Sequence, residues 1–81
     1  MWHLYILQCS DKSLYTGIAL DVKQRVREHA AGRGSAYVRS KLPVKLVYQE
    51  SCRSRSSALK REAEIKQWTR REKLALIVDT F

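Results

Sequence analysis

Trp2-His3-Leu4-Tyr5-Ile6-Leu7-Gln8-Cys9-Ser10-Asp11-Lys12-Ser13-Leu14-Tyr15-Thr16-Gly17-Ile18 is the stretch that decides the fold. Its two arms, Trp2 to Gln8 and Leu14 to Ile18, are aromatic and branched, and Ser10-Asp11-Lys12 between them is polar. That pattern predicts a β-hairpin. Side chains on a strand alternate with period two, so an odd-numbered loop puts Tyr5 and Tyr15 on the same face. Tyrosine in a hairpin is most often packing. A pair of phenols over a cleft can instead orient a water or a phosphate.

Beyond the hairpin, Asp21-x-x-Gln24 has the form of a capping box, and Val22, Val26 and Ala30 recur at four-residue spacing, so a helix is expected to start at Asp21. Gly32 and Gly34 are expected to end it, because glycine tolerates the left-handed cap. Ser35 to Ser40 allows one helical turn. After Pro43, Val44 to Tyr48 alternates and reads as a third strand, and Ser51 to Ser57 reads as a polar, basic loop. A long helix is expected from Ser56 or Ser57 to Gln67 or Trp68. Thr69-x-x-Glu72 is a fresh capping box ahead of Leu74-Ala75-Leu76-Ile77-Val78 and starts a last helix. The order β-β-α-β-α-α implies an α+β class, a small antiparallel three-stranded sheet with flanking helices. Residues 1–81 read as one domain, with no repeat and no linker.

Sixteen Lys and Arg against eight Asp and Glu give a net charge of +8. Basic side chains neutralise backbone phosphates and release counterions, which makes nucleic acid the natural partner, although anionic membranes attract the same residues. Lys23, Arg27, Arg33, Arg39, Lys41, Arg53 and Arg55 are the candidate phosphate contacts. Cys9 and Cys52 make no disulfide framework, and with His3 and His29 they lack zinc-site spacing. No stretch approaches the ~20 apolar residues that span a bilayer. No basic-then-apolar leader opens the chain, so a cytoplasmic location is expected and no membrane partner is.

Three features carry chemistry. On the long helix, Ala58, Leu59, Ile65 and Thr69 define an inward stripe with Glu62 near its middle, while Glu64 points away. A carboxylate there needs a paired cation or a bound metal. Arg25 and His29 lie four apart on the first helix and share a face. A guanidinium grips phosphate in two places, and an imidazole donates to it or accepts a proton. The third feature is the tyrosine pair.

Leu4-Tyr5-Ile6, followed ten residues later by Tyr15-Thr16-Gly17, resembles the paired motifs of the GIY-YIG nuclease superfamily. Arg25-x-x-x-His29 resembles that family's next motif, and Ala58-Leu59-Lys60-Arg61-Glu62 resembles the helix carrying its metal-binding glutamate. The likeness spans nearly the whole chain and is closest to small single-domain bacterial members. Leu4 stands where the family's name has glycine, and the chain has none of the late asparagine many members carry.

The resemblance implies a metal-dependent endonuclease that hydrolyses phosphodiester bonds in DNA, by water attack with one divalent ion, in repair or processing. Glu62 would hold Mg²⁺ or Mn²⁺. Arg25 would neutralise the phosphoryl oxygens, and Tyr5, with Tyr15 and His29, would activate and position the water. A non-catalytic nucleic-acid-binding module and a basic domain meeting an acidic protein are the rival readings. Nothing in the sequence sets the oligomeric state.

Overall fold

The computed structural model describes residues 1–80, with backbone only for 79 and 80. Its elements are β1 (Trp2–Gln8), β2 (Leu14–Ala19), α1 (Val22–Ala30), α2 (Ala36–Arg39), β3 (Lys45–Cys52), α3 (Arg55–Lys66) and α4 (Arg70–Thr80). The sheet order is β2-β1-β3, antiparallel throughout. The α+β class and the β-β-α-β-α-α order are as expected.

Because β1 is the central strand, both of its faces are covered, and Leu4, Tyr5, Ile6 and Leu7 are all buried. Leu4 and Ile6 join Tyr48, Cys52, Ala58 and Ile65, with Trp68, Leu76 and Ile77 packed around them. Tyr5 and Leu7 face the other way, onto Ala19 and Val22, with Val26 alongside. The sheet is thus sandwiched between α1 on one side and α3 with α4 on the other.

Both caps form at the expected residues, the first as a simple cap and the second as a reciprocal box. Asp21 Oδ1 accepts from the Gln24 amide at 3.0 Å and starts α1. Thr69 and Glu72 exchange reciprocal bonds, Glu72 N to Thr69 Oγ1 at 3.2 Å and Thr69 N to Glu72 Oε1 at 3.0 Å.

Elsewhere the expectations need correction. Strand β3 runs through Ser51 and Cys52 rather than giving way to a loop at Ser51, because Trp2 and His3 of β1 supply pairing partners there. Helix α3 begins earlier than Ser56, with Ser54 as its cap accepting from the Ser57 amide. Ala30 and Leu59 are exposed, and Thr69 lies outside α3 as the cap of the next helix. The covered line of α3 is Ala58, Glu62 and Ile65. Gly32 alone takes the left-handed cap, at φ 80°, in a Schellman turn where Arg33 N reaches Glu28 O and Gly32 N reaches His29 O. Among the described residues no helix is long and apolar enough to cross a membrane.

Candidate active site

Tyr5 pairs directly with Gly17 across the hairpin, and Leu7 pairs with Tyr15, so the two tyrosines share the α1 face. Their ring centroids lie 6.5 Å apart. The Tyr5 side chain lies over Gly17, where an added Cβ would stand 2.6 Å from the phenol oxygen. Only glycine lets the phenol cross the edge strand at that height.

Helix α1 delivers Arg25 and His29 to that phenol. His29 is fully buried and joins Val22 and Val26 on the covered side of α1, while Ala30 faces solvent. Its Nε2 lies 2.9 Å from the Tyr5 oxygen, and its ring meets the Tyr15 ring edge-on at 5.3 Å. Gly34 sits so close that a Cβ there would stand 2.2 Å from His29 Nδ1. This explains the second glycine, which caps nothing. Among the described residues His29 Nδ1 is buried without a hydrogen-bond partner.

The electrostatics follow from this packing. Burial pushes the Tyr5 phenol up to about 12, and the Arg25 side chain beside it pulls the other way. Burial, then the Arg25 charge, lowers His29 from its ordinary value and favours the neutral imidazole. The Tyr5 hydroxyl is the main influence raising Arg25, which also pairs with Glu28 at 3.4 Å.

Glu62 comes from the opposite layer. Its side chain is 21% exposed and makes a long ion pair with Lys66, 3.5 Å through Oε2, while Glu64 is outward and bonds to Arg61 at 2.7 Å. The Glu62 charge is close enough to act on the Tyr5 phenol. Among the described residues nothing hydrogen-bonds to its second oxygen, so the group fits a hard cation's need for a carboxylate oxygen. No three His, Cys, Asp or Glu side chains among the described residues group as a metal cage. A divalent cation held here would have the Glu62 carboxylate as its protein ligand, a donor suited to a hard ion such as magnesium.

The sequence did not point to Tyr37. Its ring stacks on Tyr15 at 6.1 Å, with the Lys41 ammonium over it at 5.1 Å, and it remains 45% exposed. Lys41 is held by Asp11 at 2.5 Å. The candidate phosphate contacts divide between two faces. Lys23, Arg27, Arg33, Arg39 and Lys41 belong to the α1–α2 side, and Arg53 and Arg55 surround the start of α3, with Arg55 over the Trp2 ring.

Residues 1–75 match the family model described as the GIY-YIG catalytic domain. A UPF0213 protein of Haloquadratum walsbyi is 54% identical over 74 residues, covering 91% of this chain and 83% of that protein. A UPF0213 protein of Staphylococcus aureus is 55% identical over 74 residues, 91% of this chain and 90% of its own. The fold is similar to the solution NMR structure of a UPF0213 protein from Bacillus halodurans, with a TM-score of 0.61, 39% identity, and 96% and 84% of the two chains covered. It is also similar to that of a protein from E. faecalis, with a TM-score of 0.64, 34% identity, and 96% and 83% covered. The relatives' names state no reaction.

Proposed function

The chain belongs to the GIY-YIG family, and from that premise we propose that residues 1–81 form a metal-dependent endonuclease that hydrolyses phosphodiester bonds in DNA. The observation that carries this reading is the Tyr5–His29 hydrogen bond, with Arg25 beside the phenol and Glu62 within electrostatic reach. Those groups supply a proton path, a phosphate clamp and a cation ligand at one place.

A phenol at about 12 is a negligible phenolate at neutral pH. Tyr5 therefore acts as a relay. As the water oxygen bonds to phosphorus and the bond from phosphorus to the leaving sugar oxygen breaks, the water proton passes to the Tyr5 oxygen and the Tyr5 proton to His29 Nε2, while the leaving oxygen takes a proton from solvent. The tautomer this needs carries its proton on Nδ1 and leaves Nε2 as acceptor. Burial favours neutral His29 and so keeps it ready to accept. Arg25 binds the non-bridging oxygens and stabilises the charge that grows on them. Tyr15, braced between His29 and Tyr37, holds the imidazole edge in place. A Mg²⁺ or Mn²⁺ ion on Glu62 would polarise the phosphate and stabilise the leaving oxygen.

This reading also places the protein in the cytoplasm, where the buried thiols of Cys9 and Cys52 stay reduced, with a role in DNA repair or processing. The absence of any asparagine favours the rival, a non-catalytic nucleic-acid-binding module. Purified protein incubated with labelled single-stranded, branched and duplex DNA and with RNA, with and without Mg²⁺ or Mn²⁺, separates the two. Metal-dependent nicking supports the nuclease, and binding with no product under either metal rejects it.

A further inference from the structure

An open hollow of about 310 Å³ lies immediately beside Arg25, between the end of β2 and the first turns of α1. Trp2, Ile18 and Leu20 form its apolar walls, and Gln24, Arg25 and Glu28 form its polar side. Leu20 is 58% exposed. The volume is at the small end of ligand pockets, roughly 300–1,000 Å³. It is large enough to take one nucleobase.

Arg25 is the shared wall. It lies beside the Tyr5 hydroxyl and it lines the hollow. A phosphate gripped by Arg25 therefore places the neighbouring nucleoside at the mouth of the cavity. We propose that this hollow is a nucleobase subsite, which takes one unpaired base next to the scissile phosphate and makes single-stranded or locally unpaired nucleic acid the substrate class. The proposal rests on the nuclease reading of the adjoining site.

The chemistry of the walls agrees. Trp2, with Arg55 over its ring, and Ile18 and Leu20 give the hollow an apolar lining, and every base has an apolar face to set against it. Asp21 caps the helix through one oxygen and Glu28 lies beside Arg25 at 3.4 Å, so each carboxylate has a partner within the protein. The remaining polar reader is the Gln24 amide, which both donates and accepts. Such a pocket tolerates any base and selects for one that is out of its stack. A base inside a continuous duplex cannot present its face to the hollow without being flipped, which is least costly where pairing is already lost.

The test uses single-stranded DNA carrying 2-aminopurine at one position at a time, and matched strands with an abasic residue at the same positions. The Glu62→Gln protein keeps the fluorescent strands intact during binding, and the parent protein reads cleavage. One position beside the cut should change fluorescence on binding, and an abasic residue there should slow cleavage by about five- to a hundredfold, the span of a base-stacking contact. Leu20→Glu and Gln24→Trp, both on exposed positions, should abolish the fluorescence change and slow the intact strand to a similar rate, with no further loss on the abasic strand.

Parent protein that cuts abasic strands as fast as intact ones at every position near the cut overturns the subsite, and so does equal cleavage of duplex and single strand. The abasic arm needs no protein variant, so misfolding cannot mimic either result. If no strand is ever cut, yet the fluorescence change maps to one position and vanishes in Leu20→Glu, the subsite stands and the nuclease reading falls.

Discussion

Gly17→Ala tests whether the position of the Tyr5 phenol matters. The backbone at Gly17 has no positive φ, so the substitution acts through space alone. Its Cβ would stand 2.6 Å from the phenol oxygen, 2.7 Å from Cζ and 3.1 Å from Cε1. Ordinary carbon contacts lie at roughly 3.5–4.0 Å, so the ring must move by about 1 Å. The hydroxyl starts 2.9 Å from His29 Nε2, and a shift of that size in any direction spoils the distance or the alignment of that bond. Overpacking of this kind costs about 1–3 kcal/mol of stability. A displacement of about 1 Å in a reacting group lowers rate by roughly a hundredfold.

Single-turnover cleavage of a labelled strand, with urea unfolding of the same preparations, reads both effects. Tyr5→Phe provides the second axis of a double-mutant cycle. It removes the oxygen but leaves Cζ in place, so the clash with the methyl introduced by Gly17→Ala persists. In that background Gly17→Ala should still destabilise by a similar amount, while its effect on rate shrinks to a few-fold. Parent-like cleavage by a Gly17→Ala protein that shows the expected destabilisation would refute the relay through Tyr5.

Three further outcomes follow from the same geometry. His29 is lowered from its ordinary value near 6.5, so on acidification the unfolded chain takes up the proton first. Stability is complete above about pH 6.5 and falls as pH drops through the folded value; cleavage falls on the same acid side, and urea midpoints that rise on acidification would contradict this. Binding to single-stranded DNA should weaken with salt at a log–log slope of about −0.7 per phosphate contact, or about −0.9 for duplex, and an affinity flat in salt would contradict the backbone-directed mode. Thr69→Ala removes the α4 cap and should cost about 1 kcal/mol in urea unfolding with cleavage unchanged; an unchanged midpoint would show that the capping box contributes nothing.

Local signals in the sequence carried over well, and non-local ones did not. The odd loop placed Tyr5 and Tyr15 together, and the Asp21 and Thr69 caps and the partly covered Glu62 are where their patterns put them, because each depends on neighbours along the chain. Spacing on α1 found an apolar stripe but missed its third member: Ala30 faces solvent and His29 is buried. A histidine becomes core only because Tyr5, 24 residues away, accepts or donates at its Nε2. The extension of β3 through Cys52 likewise depends on Trp2 and His3 across the sheet. Ser54, Ser56 and Ser57 are competing caps, and propensity alone does not choose among them. Tyr37 had no signal at all, since an exposed tyrosine on a one-turn helix means nothing until Tyr15 is seen beneath it.

The most direct test of the central claim compares Glu62→Gln with Glu64→Gln. The two carboxylates are two residues apart on α3, one 21% exposed toward the site and the other 56% exposed and facing outward. Glu62→Gln keeps the shape of the side chain and removes the charge a hard cation needs. Metal-dependent cleavage should fall by a factor on the order of ten to a thousand, while DNA binding holds or tightens, because a negative charge near the phosphates is gone. Glu64→Gln should cut at nearly the parent rate. Cleavage by Glu62→Gln equal to that of the parent and of Glu64→Gln would make Glu62 structural and contradict the single-metal mechanism.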